Sequence, residues 1–219
     1  MLSSSLQCDR LDIDIFSRIV QAVRDNGYFV ANDIFTLQQL NSLFDDLTDI
    51  DNNKFHQAGI GRELQEHTNN AIRRDEIYWL ERSRKAMSFY WSWIEQLRIR
   101  INSELFLGLF EYECHYAQYS KGAFYKKHVD AFQGFENRKL STVLYLNPIW
   151  HEDDGGELIM YDEKDDNVIM SVSPHLGTLV VFLSEVFPHE VRVAHRTRYS
   201  LTGWFRINNT TSLNLDPPR

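Results

Sequence analysis

The stretch R-K-L-S-T-V-L-Y-L-N-P-I-W-H-E-D-D-G-G-E-L-I-M-Y, residues 138–161, decides the fold. In its first part, apolar side chains follow one another closely, which predicts a strand over residues 140–146. Asn-Pro at 147–148 and Asp-Asp-Gly-Gly at 153–156 are typical of turns. A second strand is predicted over residues 157–161. A strand, a turn-rich connection and another strand therefore form the unit from which this part of the chain is built.

The same two-residue period extends on both sides of this unit, from Tyr112 to Ile207. The predicted strands cover residues 112–119, 126–131, 140–146, 157–161, 167–172, 178–183, 189–194 and 199–207. About eight short strands at this spacing predict a protein of the α+β class with a double-stranded β-helix, or jelly roll, at its centre.

The first part of the chain has a helical period instead. Apolar residues predict helices over residues 11–26, from Thr36 to Leu47 and over 85–104, with short strands over 28–31 and 75–80. Asp12 is a candidate N-cap and Gly27 a stop signal, while Thr36 and Gln39 match a capping box. These helices are expected to pack on one outer face of the jelly roll, since each has a single apolar stripe.

A 219-residue chain with 43% hydrophobic residues can bury a substantial core, and a single domain is expected over residues 1–219. Residues 1–107 are predicted to be helical support, 108–207 the jelly-roll core and 208–219 a flexible tail. Within the support, polar residues 51–74 predict a loop long enough to have a function of its own.

Composition argues against several classes of partner. The net charge is −8 and the isoelectric point near 5.5, so nucleic acid is an unlikely partner and an anionic membrane is not expected. The chain has only two cysteines, no signal-peptide pattern at its start and no apolar run of membrane-spanning length. A reduced, cytoplasmic protein is the resulting prediction, and the sequence leaves its oligomeric state open.

Two histidines and one aspartate are candidate metal ligands. His128 and Asp130 are two residues apart on a predicted strand, so both side chains are expected to point to the same side. A similar triplet, His151-Glu152-Asp153, lies in a turn and is not expected to chelate an ion. His189, which begins a later strand, is the best third ligand, and two imidazoles with one carboxylate form the face that holds Fe(II) with open positions.

Arg198 follows His189 by nine residues across a turn, so the two strands are predicted to be antiparallel neighbours. Arg198, Thr202 and Trp204 share one face of their strand together with Ser200. A guanidinium inside a barrel needs an anion, and its fork matches a carboxylate. The arginine is therefore predicted to bind the far end of a dicarboxylate whose other end is on the metal.

Six spaced motifs in residues 110–207 carry a resemblance to a known family: Y-K-K-H-V-D, S-T-V-L-Y-L-N-P-I-W, D-D-G-G-E-L, G-T-L-V-V-F-L-S, F-P-H-E-V and R-Y-S-L-T-G-W-F. In this order they resemble the Fe(II)- and 2-oxoglutarate-dependent dioxygenases, in particular bacterial prolyl 4-hydroxylases related to hypoxia-inducible-factor prolyl hydroxylases. The segment R-R-D-E-I-Y-W-L at 73–80 is similar to the one that follows the substrate-covering loop in that branch.

The resemblance implies a role for each matching residue. His128, Asp130 and His189 match the iron ligands, and Arg198 and Tyr145 match the residues that bind the distal carboxylate of 2-oxoglutarate. Thr202 and Leu158 match positions that line the pocket of that carboxylate. The place where the target proline binds is matched by Tyr125, Arg138 and Trp204, and Tyr125 is also near the cosubstrate. One departure is Gln118, where animal enzymes of the branch carry a tyrosine ten residues before the first ligand.

The implied activity is that of a peptidyl-proline 4-dioxygenase, with residues 108–207 as its catalytic core and residues 51–74 covering the substrate. It would use Fe(II), 2-oxoglutarate, O2 and ascorbate as reductant, and release succinate and CO2. The expected partner is a protein or peptide containing proline, an intracellular protein such as a translation factor. Two alternatives stay open: an oxygenase of the same fold that acts on a free amino acid, small molecule or alkylated nucleic-acid base, and a non-catalytic jelly-roll module that binds a ligand.

Overall fold

A computed structural model describes residues 14–59, 69–131 and 137–208. Within them, three α-helices and eleven strands form the fold. The helices are α1 (Ile15–Asn26), α2 (Leu37–Thr48) and α3 (Ser88–Leu105). The strands are β1 (Tyr28–Ala31), β2 (His56–Gln57), β3 (Glu76–Trp79), β4 (Glu111–Tyr119), β5 (Tyr125–His128), β6 (Arg138–Tyr145), β7 (Leu158–Tyr161), β8 (Val168–Val172), β9 (Leu179–Leu183), β10 (His189–Val191) and β11 (Arg198–Arg206).

The strands form two antiparallel sheets that face each other. The larger sheet has the order β1-β9-β6-β11-β4-β3-β2 and the smaller one β5-β10-β7-β8. All eight strands predicted in the C-terminal half are present, and the jelly-roll prediction is confirmed.

The larger sheet separates two apolar clusters because side chains alternate along each of its strands. On one face, Leu144, Leu201 and Phe205 pack in the same cluster as Leu43 of α2 and Ile94 of α3. On the other face, a second cluster fills the space between the two sheets; it includes Val143, Tyr145, Val180, Phe182, Leu158, Met160 and Val191. The helices thus cover one outer face of the larger sheet, as predicted.

The helix ends follow from local capping. Helix α1 begins one residue after Asp14, whose carboxylate accepts hydrogen bonds from the backbone of Phe16 and Ser17. The N-cap is therefore Asp14, and the predicted cap Asp12 lies outside the described residues. Gly27 ends this helix with φ of 81°, and Thr36 forms the predicted capping box with Gln39.

The first hundred residues contribute more strand than predicted. Strands β1 and β3 were expected, but β2 lies within the stretch 51–74 that was predicted to be a loop. It pairs with β3, which pairs with β4, so the larger sheet extends into the supporting region. Residues 60–68 of the predicted loop, and 209–219 of the predicted tail, lie outside the described residues.

One predicted neighbour relation is wrong. Strand β10, which contains His189, pairs with β5 and β7 in the smaller sheet, whereas β11, which contains Arg198, pairs with β4 and β6 in the larger sheet. The intervening backbone does not form a hairpin with β11, because Arg192, Ala194 and His195 donate their N–H groups to Glu157, Ala123 and Asp154. The connection thereby crosses from one sheet to the other, and the two side chains meet across the space between them.

Candidate active site

A cavity opens between the two sheets, and nearly all of the predicted site residues line it. These are His128, Asp130, His189, Arg198, Leu158, Thr202, Tyr125, Arg138 and Trp204. Tyr145 is fully buried at the wall, with its ring centre 4.8 Å from the guanidinium carbon of Arg198. The tertiary structure therefore brings together predicted side chains from β5, β6, β7, β10 and β11.

The three candidate metal ligands form one cluster. Strands β5 and β10 place His128 directly opposite His189. Asp130 lies two residues beyond the end of β5, so strand alternation alone does not position it. Its Oδ1 is 3.6 Å from Nε2 of His128 and 3.7 Å from Nε2 of His189, and one ligand atom from each residue lies within 4.8 Å of the others. Atoms that share one ion at about 2 Å are roughly 3 to 4 Å apart, so the cluster fits a metal.

Hydrogen bonds on the outer sides of the two imidazoles fix their tautomers. Nδ1 of His128 lies 2.8 Å from the carbonyl of Lys126, and Nδ1 of His189 lies 2.9 Å from the carbonyl of Phe187. A carbonyl oxygen can only accept, so each Nδ1 carries the proton and each Nε2 presents a lone pair to the cluster. This is the usual arrangement behind metal-binding histidines.

The electrostatics of the cluster favour the charge states that metal ligands need. Burial alone would raise the pKa of Asp130, but His189, His128 and the Ser141 hydroxyl together hold it well below its usual value. Burial and the neighbouring His128 lower the pKa of His189 to about 4, against the opposing effect of Asp130. At neutral pH the site thus contains a carboxylate and a neutral imidazole, both ready to bind a cation.

The similar triplet at residues 151–153 lies at a turn, as predicted. His151, Glu152 and Asp153 are exposed on a short 3₁₀ turn, Glu152–Asp154. Among the described residues, His128, Asp130 and His189 are the group of histidine and acidic side chains that could share one ion.

The opposite wall of the cavity presents a buried cation. Arg198 is 1% exposed, and its Nε donates to the carbonyl of Gly156 at 2.9 Å, which directs the rest of the guanidinium into the cavity. The rings of Tyr119 and Tyr145 lie on it, each 4.8 Å away. The Tyr145 hydroxyl is buried without a hydrogen-bond partner in the described residues. A buried guanidinium beside an unpartnered hydroxyl is a site for an anion such as a carboxylate.

Gln118 is not among the residues that line the cavity. Gln118 and Tyr119 are successive residues of β4 and point to opposite faces, and it is Tyr119 that lines the cavity beside Arg198. Burial raises the pKa of Tyr119, so it stays a neutral phenol. A tyrosine is thus available here, one residue later in the sequence than the resemblance indicated.

Two cation–aromatic contacts line the cavity, at Trp204 and at Tyr125. Arg138 donates from Nε and Nη2 to one oxygen of Glu113, at 3.0 and 2.8 Å, and stacks 3.6 Å over the Trp204 ring. On the other side, the Tyr125 ring stacks on His128 at 3.5 Å. Arg73 lies 4.2 Å above Tyr125 and forms an ion pair with Asp75.

Sequence reasoning missed several cavity residues, namely Arg73, Asp75, Trp79, His115 and Tyr119, as well as Gly156, whose carbonyl accepts from Arg198. Most lie outside the six motifs, on β3, on β4 or just before β3. The period of β4 could have indicated His115 and Tyr119 as one face, but nothing in the sequence shows which face of that strand is turned to the cavity.

Two imidazoles and one carboxylate in a jelly roll define the class of non-haem iron oxygenases. The family model of the 2OG-Fe(II) oxygenase superfamily matches residues 114–206. The crystal structure of a Pseudomonas putida prolyl-4-hydroxylase superposes with a TM-score of 0.80 at 36% identity, covering 89% of this chain and 100% of that one. The chain belongs to the 2OG-Fe(II) oxygenase superfamily.

Other relatives are prolyl hydroxylases. A prolyl hydroxylase of Trichoplax adhaerens, solved in complex with a hypoxia-inducible-factor peptide fragment, has a TM-score of 0.75 at 26% identity and covers 87% of this chain and 88% of that one. Human prolyl hydroxylase EGLN3 is 30% identical over 141 residues, 61% of this chain and 59% of the relative. The chain thus spans less than two thirds of the length of that curated relative.

No helix in residues 14–59, 69–131 and 137–208 combines the length and the apolar character that a membrane span requires.

Proposed function

We propose that this chain is an Fe(II)- and 2-oxoglutarate-dependent dioxygenase that hydroxylates a prolyl residue of a protein or peptide, with release of succinate and CO2. The observation that carries the proposal is the single cavity in which the His128, Asp130 and His189 cluster faces the buried Arg198. The likeness to a bacterial prolyl-4-hydroxylase over that protein's whole length supports proline as the target.

Each residue has a defined task in this proposal. His128, Asp130 and His189 would hold the iron, and Arg198 would bind the distal carboxylate of 2-oxoglutarate through its fork while the Tyr145 hydroxyl donates to the same group. Leu158 and Thr202 line the same cavity. When bound, iron with 2-oxoglutarate and O2 supplies the oxidising chemistry, and the protein contributes orientation and a cavity shielded from water.

The substrate would enter at the mouth formed by Arg138, Trp204 and Tyr125. Residues 108–207 would be the catalytic core, and the segment 51–74 would cover the bound peptide, since two of its residues, Gly59 and Arg73, line the cavity. An intracellular protein, with a translation factor as one candidate, is the proposed partner. Ascorbate is the proposed reductant that keeps the iron ferrous.

The test is turnover with a defined peptide mixture. Purified protein is given Fe(II), 2-oxoglutarate, ascorbate and peptides of the form acetyl-XXXX-Pro-XXXX-amide, and mass spectrometry follows succinate and a gain of one oxygen on proline. We expect both in the wild type, neither with Arg198→Ala at limiting 2-oxoglutarate, and both with the control Arg196→Ala, whose guanidinium pairs with Asp154 at the surface. If succinate forms at the same rate with and without peptides and no proline is oxidised, the result would instead favour a small-molecule substrate. No succinate at all would overturn the oxygenase proposal.

A further inference from the structure

His115 occupies a place in the cavity wall that the proposed function has not yet used. It lies on β4, in register with Trp79 of β3 on one side and Thr202 of β11 on the other. Its ring centre is 5.0 Å from that of Trp79 and 5.3 Å from that of Trp204. The side chain is 3% exposed and lines the cavity.

The imidazole of His115 has no hydrogen-bond partner among the described residues, and its Nδ1 is completely buried. The other buried or cavity-lining histidines differ, because His128 and His189 each place Nδ1 against a backbone carbonyl. A buried polar group without a partner is costly, so an unpartnered imidazole in a cavity wall indicates a partner that arrives with a ligand.

The charge state of His115 defines what that ligand offers. Burial, together with the nearby Arg73 and Arg138, lowers the pKa of His115 to about 3, against the opposing effects of Asp75 and Glu113. The ring is therefore neutral at physiological pH and presents one donor and one acceptor. A peptide backbone offers both N–H groups and carbonyls, so it can supply the partner for a ring nitrogen that faces the cavity.

The position along β4 separates His115 from the cosubstrate anchor. Tyr119 is in register with Arg198, and His115 lies four residues further along the strand, a distance of about 13 Å. Glu113, the partner of Arg138, is two residues beyond it. The terminal carbons of a five-carbon diacid are roughly 5 Å apart, so a cosubstrate anchored on Arg198 is too short to extend along the strand to His115.

We propose that His115 is a substrate-binding residue that hydrogen-bonds a peptide group next to the target proline. Proline has no N–H of its own, so an N–H that pairs with the imidazole acceptor must come from a neighbouring residue. The indole nitrogen of Trp204 is also buried without a partner and offers a second donor at the same place. This inference rests on the proposed function and identifies the chemistry by which the site reads the backbone around the proline.

The experiment compares peptide and cosubstrate kinetics in three variants, using the best-oxidised peptide of the mixture above. His115→Phe keeps a ring but removes both nitrogens, and we expect its peptide KM to rise about tenfold, the effect of one lost hydrogen bond, with the 2-oxoglutarate KM unchanged. His115→Gln keeps a donor and an acceptor and should recover most of the loss. Trp91→Phe removes another buried, unpartnered nitrogen outside the cavity and should leave both constants unchanged.

The outcomes separate this inference from the proposed function. Suppose that the wild type oxidises proline. If His115→Phe then has an unchanged peptide KM, or if only its 2-oxoglutarate KM changes, the role of His115 is overturned and the proposed function stays intact. A wild type that oxidises no peptide would overturn both. If His115→Phe fails to fold, 15N NMR of the wild-type imidazole in protein loaded with Zn(II) and 2-oxoglutarate decides: a nitrogen shift on adding peptide supports the contact, and no shift overturns it.

Discussion

The serine behind the metal cluster, Ser141, determines which oxygen of Asp130 faces the cavity. Its hydroxyl donates to Oδ2 at 2.6 Å, while Oδ1 faces the two imidazoles. Ser141 Oγ is also 2.8 Å from Ser184 Oγ, and because the Ser141 proton is on the carboxylate, Ser184 donates to Ser141. Two buried hydroxyls thus hold the Asp130 carboxylate in one orientation.

Ser141→Ala should weaken Mn(II) binding about tenfold, because partners of this kind orient metal ligands. Isothermal titration calorimetry with Mn(II) measures it in the absence of any turnover. Ser171→Ala on β8 is the control, since Ser171 is exposed on the smaller sheet. Equal Mn(II) affinity in wild type and Ser141→Ala would show that the carboxylate needs no support.

The buried His115 should also make the metal-free protein sensitive to acid. A histidine with a pKa of about 3 when folded and near 6.5 when unfolded contributes nothing above pH 7, and destabilises the folded state progressively as the pH falls from 6.5 towards 3. The groups around it, Arg73, Asp75, Arg138 and Glu113, remain in the variant. Between pH 7 and pH 5 the wild type should lose about 2 kcal/mol of unfolding free energy more than His115→Phe. Urea unfolding at the two pH values measures the difference, and parallel losses in both proteins would contradict it.

Among the connections between elements, the turn before β7 is the one that positions Arg198. Gly156 has φ of 70°, and a Cβ there would lie 3.0 Å from Cδ of Arg198 and 3.2 Å from the Trp150 ring. The same glycine accepts the Nε hydrogen bond. The close approach of backbone and guanidinium therefore requires glycine at this position.

Gly156→Ala should raise the 2-oxoglutarate KM several-fold as well as destabilise the fold, since the methyl group displaces Arg198. Gly122→Ala is a matched control, because Gly122 has φ of 88° but nothing within 4 Å of an added Cβ. The control should lose about 1 kcal/mol of unfolding free energy through backbone strain alone, with a correspondingly lower unfolding temperature. Its 2-oxoglutarate KM should be unchanged. Equal KM values in the two variants would remove the special role of Gly156.

At the level of elements, the sequence predicted the strands well and their partners less well. The period of two identifies each strand locally, as for residues 140–146, which the structure places in β6. It does not identify the sheet a strand joins, so His189 and Arg198 were placed on adjacent strands. Hydrogen bonds from Arg192, Ala194 and His195 to distant loops decide that question.

At the scale of the whole molecule, the proposed metal site uses residues of the smaller sheet, and the proposed cosubstrate site uses Arg198 of the larger sheet. Metal and cosubstrate should therefore bind the folded protein only, and raise its unfolding temperature by several degrees at saturating concentrations. We expect Mn(II) to stabilise both wild type and Arg198→Ala, and 2-oxoglutarate to add a further increment only where Arg198 is present.

Differential scanning fluorimetry with Mn(II), then 2-oxoglutarate, then excess EDTA measures the increments and their reversal. Arg196→Ala should match the wild type throughout. A 2-oxoglutarate increment of the same size in Arg198→Ala would place the distal carboxylate elsewhere.

The sequence by itself determined the strand pattern, the helix stripes and the identity of the three candidate metal ligands, because periodicity and residue chemistry are local properties. Only the tertiary structure decided that Tyr119 rather than Gln118 faces the cavity, that Gly156 supports Arg198, and that His115 is buried without a partner. These depend on which face of a strand is turned inward and on which loop closes against it. Both are set by contacts between residues far apart in the chain, which no local pattern contains.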